Sequence, residues 1–541
     1  MLPTAFRALL VVAVIAGRVG AQLPRVDVVG TLVQPASVAE DRLRLGQLFG
    51  TGSTPDFLIR AVSSLNPSSG QGDGFTFRVI APEIGIIHNS ALPFGMNDGP
   101  VWAARGLSTQ ITAGVTAEWG RLRAILAPQF WSAENRDFQV IQYLPVQPDG
   151  RSPWSNPFHP LPSSIDLPYR FGDRPLSAVD AGQSSISADL GRVVAGFGTE
   201  NLWWGPGIQN AIVMSNNAPG FPHAFARTDG GWRTPAGRFD AEWILGTLRE
   251  SPFFDSDDGN NTRSIAGLVV AWTPTADSGL TIGAARTVWA NTTSSVPVGA
   301  MFDMLRDVGR PNTDTSSSAG PDQIFSLFGR WVFPGAGFET YAEWARFEQP
   351  ASLRDFLEYP QHSQAYTVGL QWARPVQVRG GDARLRVQAE GTYLEPDPAQ
   401  RVRPVGTTYA SRVVPQGYTN RGQSLGAAIG PGSSSQWLAV DLFSTRYTVG
   451  GYLERIRRDN ATLWTHIVPE PKSEDLSLIG GLRGSLIWRD VQVAIDFTHD
   501  VRLDYFFQDR PNKDDPFHQG VDIGNNTLSL RISTAIGRRA R

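Results

Sequence analysis

From Phe75 onward, apolar and polar residues alternate along the chain in runs of about ten residues, the length a tilted strand needs to cross a bilayer. In DARLRVQAEGTYL, residues 382–394, Ala383, Leu385, Val387, Ala389 and Tyr393 fall on one side, with Arg384, Arg386, Gln388, Glu390 and Thr392 on the other. The run VQVAIDFT repeats this with Val491, Val493, Ile495 and Phe497 against Gln492, Asp496 and Thr498. Tyr366, Val368, Leu370 and Trp372 share a face, as do Ile111, Ala113, Val115, Ala117 and Trp119. Such alternation also fits a soluble sandwich or a propeller, so the connections have to decide. Very short links recur at Trp119-Gly120, Leu190-Gly191-Arg192, Pro274 to Ser278, Pro334-Gly335-Ala336, Val449-Gly450 and Arg489-Asp490. Between them lie long polar links over residues 132–184, 291–322, 395–436, 459–474 and 507–524. Tight turns on one side and long loops on the other are the pattern of outer-membrane barrels, and closure satisfies every strand edge in lipid.

Counting crossings from Phe75 predicts an all-β fold: an antiparallel up-and-down transmembrane barrel of about eighteen strands, residues 75–541. The count holds if IQNAIVM, residues 208–214, crosses as a strand, which leaves residues 215–238 as a long link on the periplasmic side or folded into the lumen. Trp272, Trp331, Trp344, Trp372 and Trp488 lie near strand ends, where interfacial girdles are expected.

The pattern differs before Phe75. Arg7, the apolar run ALLVVAVIAG and the small residues Val19-Gly20-Ala21 read as a signal peptide over residues 1–21. Residues 22–74 read as a small, partly helical periplasmic element: Ser37 and Glu40 form a capping-box pattern, and Leu43, Leu45, Leu48 and Phe49 supply an apolar face. No apolar run reaches the roughly 20 residues of a spanning helix.

Composition narrows the chemistry. The 541 residues carry no cysteine, which excludes disulfides, thiolate metal sites and a cysteine nucleophile. The formal net charge of -3 gives no pull toward nucleic acid, and lysine occurs only at positions 472 and 513, so the cations are arginines suited to planar recognition. The seven histidines, at 88, 159, 223, 362, 466, 499 and 518, show no metal-ligand spacing, and neither GxSxG, HExxH nor a P-loop is present. No cofactor or metal is expected.

Polysaccharide recognition needs flat aromatic faces for the apolar side of sugar rings, with Asn, Asp, Glu and Arg for hydroxyls and carboxylates. In the stretch FGTENLWWGPGIQNAIVMSNNAPGFP, Trp203, Trp204, Asn216 and Asn217 offer that set, with Glu200 beside them and Arg227 just beyond. Arg384, Arg386 and Glu390 extend the candidate lining inside the barrel. A second reading of Trp203-Trp204-Gly205-Pro206-Gly207 is a tight turn whose glycines allow positive φ while the indoles pack inside. A hydrolytic reading rests on Glu200, Asp240 and Glu242 as a carboxylate set, and a porin reading on the inward arginines.

The stretch TENLWWGPGIQNAIVMSNNAPGFP closely resembles the signature of the Wzi-type capsule assembly proteins, and GYTNRGQSLGAAIGPGSSS, residues 417–435, resembles a second segment of that family. The resemblance implies an eighteen-stranded outer-membrane barrel with a small periplasmic helical element. It further implies a lectin-like, non-enzymatic role in attaching or organising capsular polysaccharide at the cell surface. The partners so implied are that polysaccharide, outer-membrane lipids and, during biogenesis, the barrel-insertion machinery.

Overall fold

The computed structural model describes residues 31–50, 57–68, 74–139, 154, 156, 165–255, 257–306, 320–350, 352–378, 381–397, 406–466, 474–508 and 521–534. The expected signal peptide lies outside them. No helix among the described residues is long and apolar enough to cross a membrane. Strands do the crossing.

Eighteen antiparallel strands close into one barrel, from Phe75–Asn89 to Ile523–Thr534. Three are interrupted: Leu122–Leu126 continues as Gln129–Ala133, Leu176–Asp180 as Ser185–Asp189, and His223–Thr228 as Trp232–Thr234. The first strand pairs with the last (Glu83 opposite Ser533, Asn89 opposite Thr527) and with its own successor, so no edge is left open. Side-chain alternation sets the register as the sequence predicts. Arg384, Arg386, Gln388, Glu390 and Thr392 all point into the lumen, while Val368, Ile495 and Phe497 are exposed on the outer face. Trp331, Trp372 and Trp488 are also exposed outside, and Trp272 stacks on Phe239 at 6.2 Å near the short-turn end.

Two expectations of detail are corrected. Val449 and Gly450 lie inside the strand Tyr447–Arg457, and the turn falls just before it. Gly450 is glycine for a steric reason: a Cβ there would sit 2.1 Å from Asp441 Oδ1. The run at residues 208–214 is not a crossing strand. It is buried irregular chain, and the strand that completes the count is His223–Thr228 with Trp232–Thr234, paired to Val193–Gly198 on one side and Gly237–Arg249 on the other. Ile212, Val213 and Met214 are apolar because they pack in the lumen, where Ile212 and Val213 are wholly enclosed. Residues 215–238 therefore form no periplasmic link.

The helix Val38–Gln47, here α1, sits inside the barrel near the short turns. Ser37 Oγ accepts the Glu40 N–H at 3.2 Å, as expected of a cap, while the Glu40 carboxylate accepts the N–H of Ala36 at 2.6 Å, one residue before the cap, rather than that of Ser37. Leu45 and Leu48 pack on Ala373 and Phe443 of the barrel wall, with Phe49 partly buried beside them; Leu43 is exposed rather than part of that face.

Candidate functional site

The tryptophan stretch leaves the wall after Val193–Gly198 and dives into the lumen before the wall resumes at His223. Leu202–Trp204 pairs antiparallel with Ile59–Ala61, a two-stranded sheet enclosed by the barrel. Trp204 N–H donates to Met214 O, and Gly205 N–H to Leu58 O, tying the stretch to itself and to the N-terminal segment. Gly205 adopts φ +104°, and a Cβ there would meet Glu343 Oε2 at 2.9 Å, so this turn requires glycine.

Lumen carboxylates hold the inserted backbone. Glu390 accepts the N–H groups of Ile208 (2.6 Å), Gln209 (3.1 Å) and Asn210 (2.8 Å) and the Tyr341 hydroxyl (2.7 Å). Successive backbone donors converging on one anion form a nest. Glu343 accepts the Ile212 N–H at 3.1 Å. Arg60 donates to the carbonyls of Gly205 and Gly207, and Arg44 to that of Pro206. Burial pushes the Arg60 guanidinium down to about 10, the neighbouring Glu40 carboxylate opposing the shift.

The second signature segment enters from the loop before Ser434–Ser444 and meets the first. Ser215 N–H donates to Leu425 O, Asn217 Nδ2 to Ser424 O, and Asn420 Nδ2 to Pro219 O. Two motifs some 200 residues apart in the chain are thus one interlocked plug.

These contacts assign the predicted residues. Trp203 and Trp204 are wholly buried: Trp203 stacks under the Arg60 guanidinium at 4.7 Å, and Trp204 donates its indole N–H to Glu242 at 2.8 Å. Both indoles are wholly enclosed, Trp204 lying against Gly267 of the wall, and neither is open to the lumen cavities. Glu200 is buried and accepts from the Ser63 N–H and hydroxyl. Arg227 donates to Ser63 Oγ at 2.7 Å, 3.8 Å from Glu242. Arg386 is enclosed between Asp41 (2.7 Å) and Asp441 (2.8 Å), and Arg384 is buried over the Phe49 ring at 4.7 Å. Glu200, Arg227 and Trp204 therefore come together around Ser63 and Glu242, while Arg384 and Arg386 lie apart, against α1. Asn216 and Asn217 are the pair left beside open space.

That space is a series of three adjoining cavities of about 240, 310 and 210 Å³ along the lumen face of residues 434–534. Asn216 lines the first, at the level of α1, and Asn217 the last, among the outer loops. Met96 borders all three. Arg531, bonded to Asp98 at 3.1 Å, stands where the two inner ones join. The outer cavity is walled by Trp102, Arg458, Asp500, Arg502 and Asn525 besides Asn217. The sequence reading missed these groups. They come from loops and strand ends, where alternation gives no direction to a side chain.

A closed barrel of this size, apolar outside and filled with its own chain inside, defines a transmembrane protein of the bacterial outer membrane. The sequence profile of the family "Capsule assembly protein Wzi" matches residues 165–502, and the chain belongs to that family. Among solved structures it is similar to Wzi of Escherichia coli, an outer-membrane protein involved in group 1 capsule assembly and a carbohydrate-binding β-barrel. The identity is 11%, the match covers 84% of this chain and 85% of that one, and the TM-score is 0.54. It is also similar to OccAB2 of Acinetobacter baumannii (6% identity, 84% and 97% covered, TM-score 0.38) and to OccK2 of Pseudomonas aeruginosa (10%, 85% and 98%, TM-score 0.38). No curated protein sequence matches it.

Proposed function

We propose that this protein binds exported capsular polysaccharide at the outer face of the barrel and helps attach it to the cell surface, without catalysing a reaction on it. The observation that carries the reading is the interlocked plug. The two family signatures interlock across the lumen and, among the described residues, leave separate cavities, the outer one with polar and aromatic walls. The candidate hydrolytic carboxylates support a binding role, since Glu200 and Glu242 are held by Ser63 and Trp204, and Asp240 by Arg238. The test is equilibrium binding of the host's own surface polymer to the detergent-purified full-length chain. Saturable binding with no release of shorter glycans is expected; absence of binding overturns the reading.

A further inference from the structure

The outer cavity contains polar groups that the protein leaves without partners. Trp102 packs on Phe171 in a tilted arrangement at 4.4 Å and remains partly exposed on the cavity wall, yet its indole N–H has no acceptor among the described residues. Nor have the Ser424 hydroxyl and Asp500 Oδ1 any partner, although both residues are almost fully buried. Arg458, just beyond the outer end of Tyr447–Arg457, donates its Nε–H to Ser477 Oγ at 3.1 Å. Its two terminal nitrogens have no hydrogen-bond partner among the described residues. Arg502, beside it, is instead held by Asp475 through Nε and one terminal nitrogen, at 2.6 and 2.5 Å.

Buried polar groups are normally paired, so unpaired ones on a cavity wall are open to a polar ligand. The types present narrow its chemistry. A guanidinium with free terminal nitrogens takes a planar anion in two parallel bonds. The carboxylate oxygen of Asp500 needs a hydroxyl donor, the Ser424 hydroxyl takes either role, and an indole supports the apolar face of a pyranose. The cavity, about 210 Å³, has room for about one sugar ring.

Resting on the binding role proposed above, we infer that this cavity is a subsite for a single uronic acid residue of the polysaccharide. Its carboxylate lies against Arg458 and its ring hydroxyls toward Asp500 and Ser424, with Trp102 beneath the ring. None of these residues belongs to either signature stretch except Ser424.

The test compares the host's surface polysaccharide, intact and after chemical reduction of its carboxyl groups, in titrations with the full-length protein in detergent. Wild-type protein should bind the intact polymer at least tenfold more tightly than the reduced one. Arg458→Met should bind both equally, at the level of the reduced polymer, and Asp500→Asn should weaken both. Arg458→Lys, which keeps charge but not the planar fork, should fall between, and it replaces the Met variant should that one fail to fold. Competition by free glucuronate but not by inorganic phosphate is expected. The subsite is overturned if Arg458→Met (or Arg458→Lys in its place) keeps the wild-type preference, if phosphate competes as well as glucuronate, or if the reduced polymer binds wild type as tightly as the intact one. Failure of wild type to bind either polymer would instead overturn the polysaccharide-binding role itself.

Discussion

Glu390 shows what a single residue reveals before and after its neighbours are known. Alternation places it on the polar side of its strand, and there it is; the same alternation cannot say that three backbone N–H groups from residue 208 onward arrive to meet it. Trp203, Trp204 and Arg386 follow the same logic. Their inward direction is legible, and their partners, brought from distant parts of the chain, are not. Outside the wall, Glu250 is set for a pH response. Burial lifts its carboxyl to about 8, Gln416 opposing and Asp255 and Asp166 adding to the shift. In the unfolded chain it titrates near 4.5, so between about pH 4.5 and 8 the folded state holds a proton that the unfolded state has released. Stability should therefore fall as pH rises through that window. The temperature at which the folded band converts on a heat-modifiability gel should drop more from pH 5 to pH 8 in wild type than in Glu250→Gln. Equal slopes would remove this role for Glu250.

At the scale of elements, the start of α1 and the strand alternation were readable because each rests on local rules: a cap three residues from a glutamate, and a period of two. The reading at residues 208–214 failed because a short apolar run looks alike whether it faces lipid or the interior of a plug. Gly450 misled for a related reason, being small to clear Asp441 rather than to turn the chain. α1 is anchored by a charge network that spans five separate strands. Arg44 bonds Glu339 at 2.8 Å, and Arg330 shares that carboxylate; Arg386 joins Asp41 to Asp441, which Arg483 also grips at 2.8 Å. Burial alone would raise the Asp41 carboxyl, but the Arg386 guanidinium holds it below the usual carboxylate range. Removing one partner strands the others in a low-dielectric interior, at a cost of about 3–5 kcal/mol. Arg386→Met should accordingly lower the gel-conversion temperature, and Arg386→Met with Asp441→Asn should recover part of the loss. An unchanged temperature in the single variant would show that this network contributes little.

For the whole molecule, the eighteen-strand closure was legible because turns and loops of contrasting length recur along the chain, and the likeness to a capsule assembly family because of the two motif stretches at residues 199–222 and 417–435. How the lumen is filled was not, because that depends on segments with no period of their own. Filled as it is, the wild-type protein should be electrically silent in a planar bilayer, while deletion of residues 31–50 should give a steady open current; a porin-like current from wild type would contradict the plug. The anchoring of α1 also bears on the order of assembly. Its partners lie about 295 to 400 residues downstream, on strands that leave the ribosome late. An element near the start of the chain thus depends for its anchoring on strands of the second half of the barrel. The bonds that seat α1 can therefore close only once the strands carrying Glu339, Arg386 and Asp441 stand in the wall.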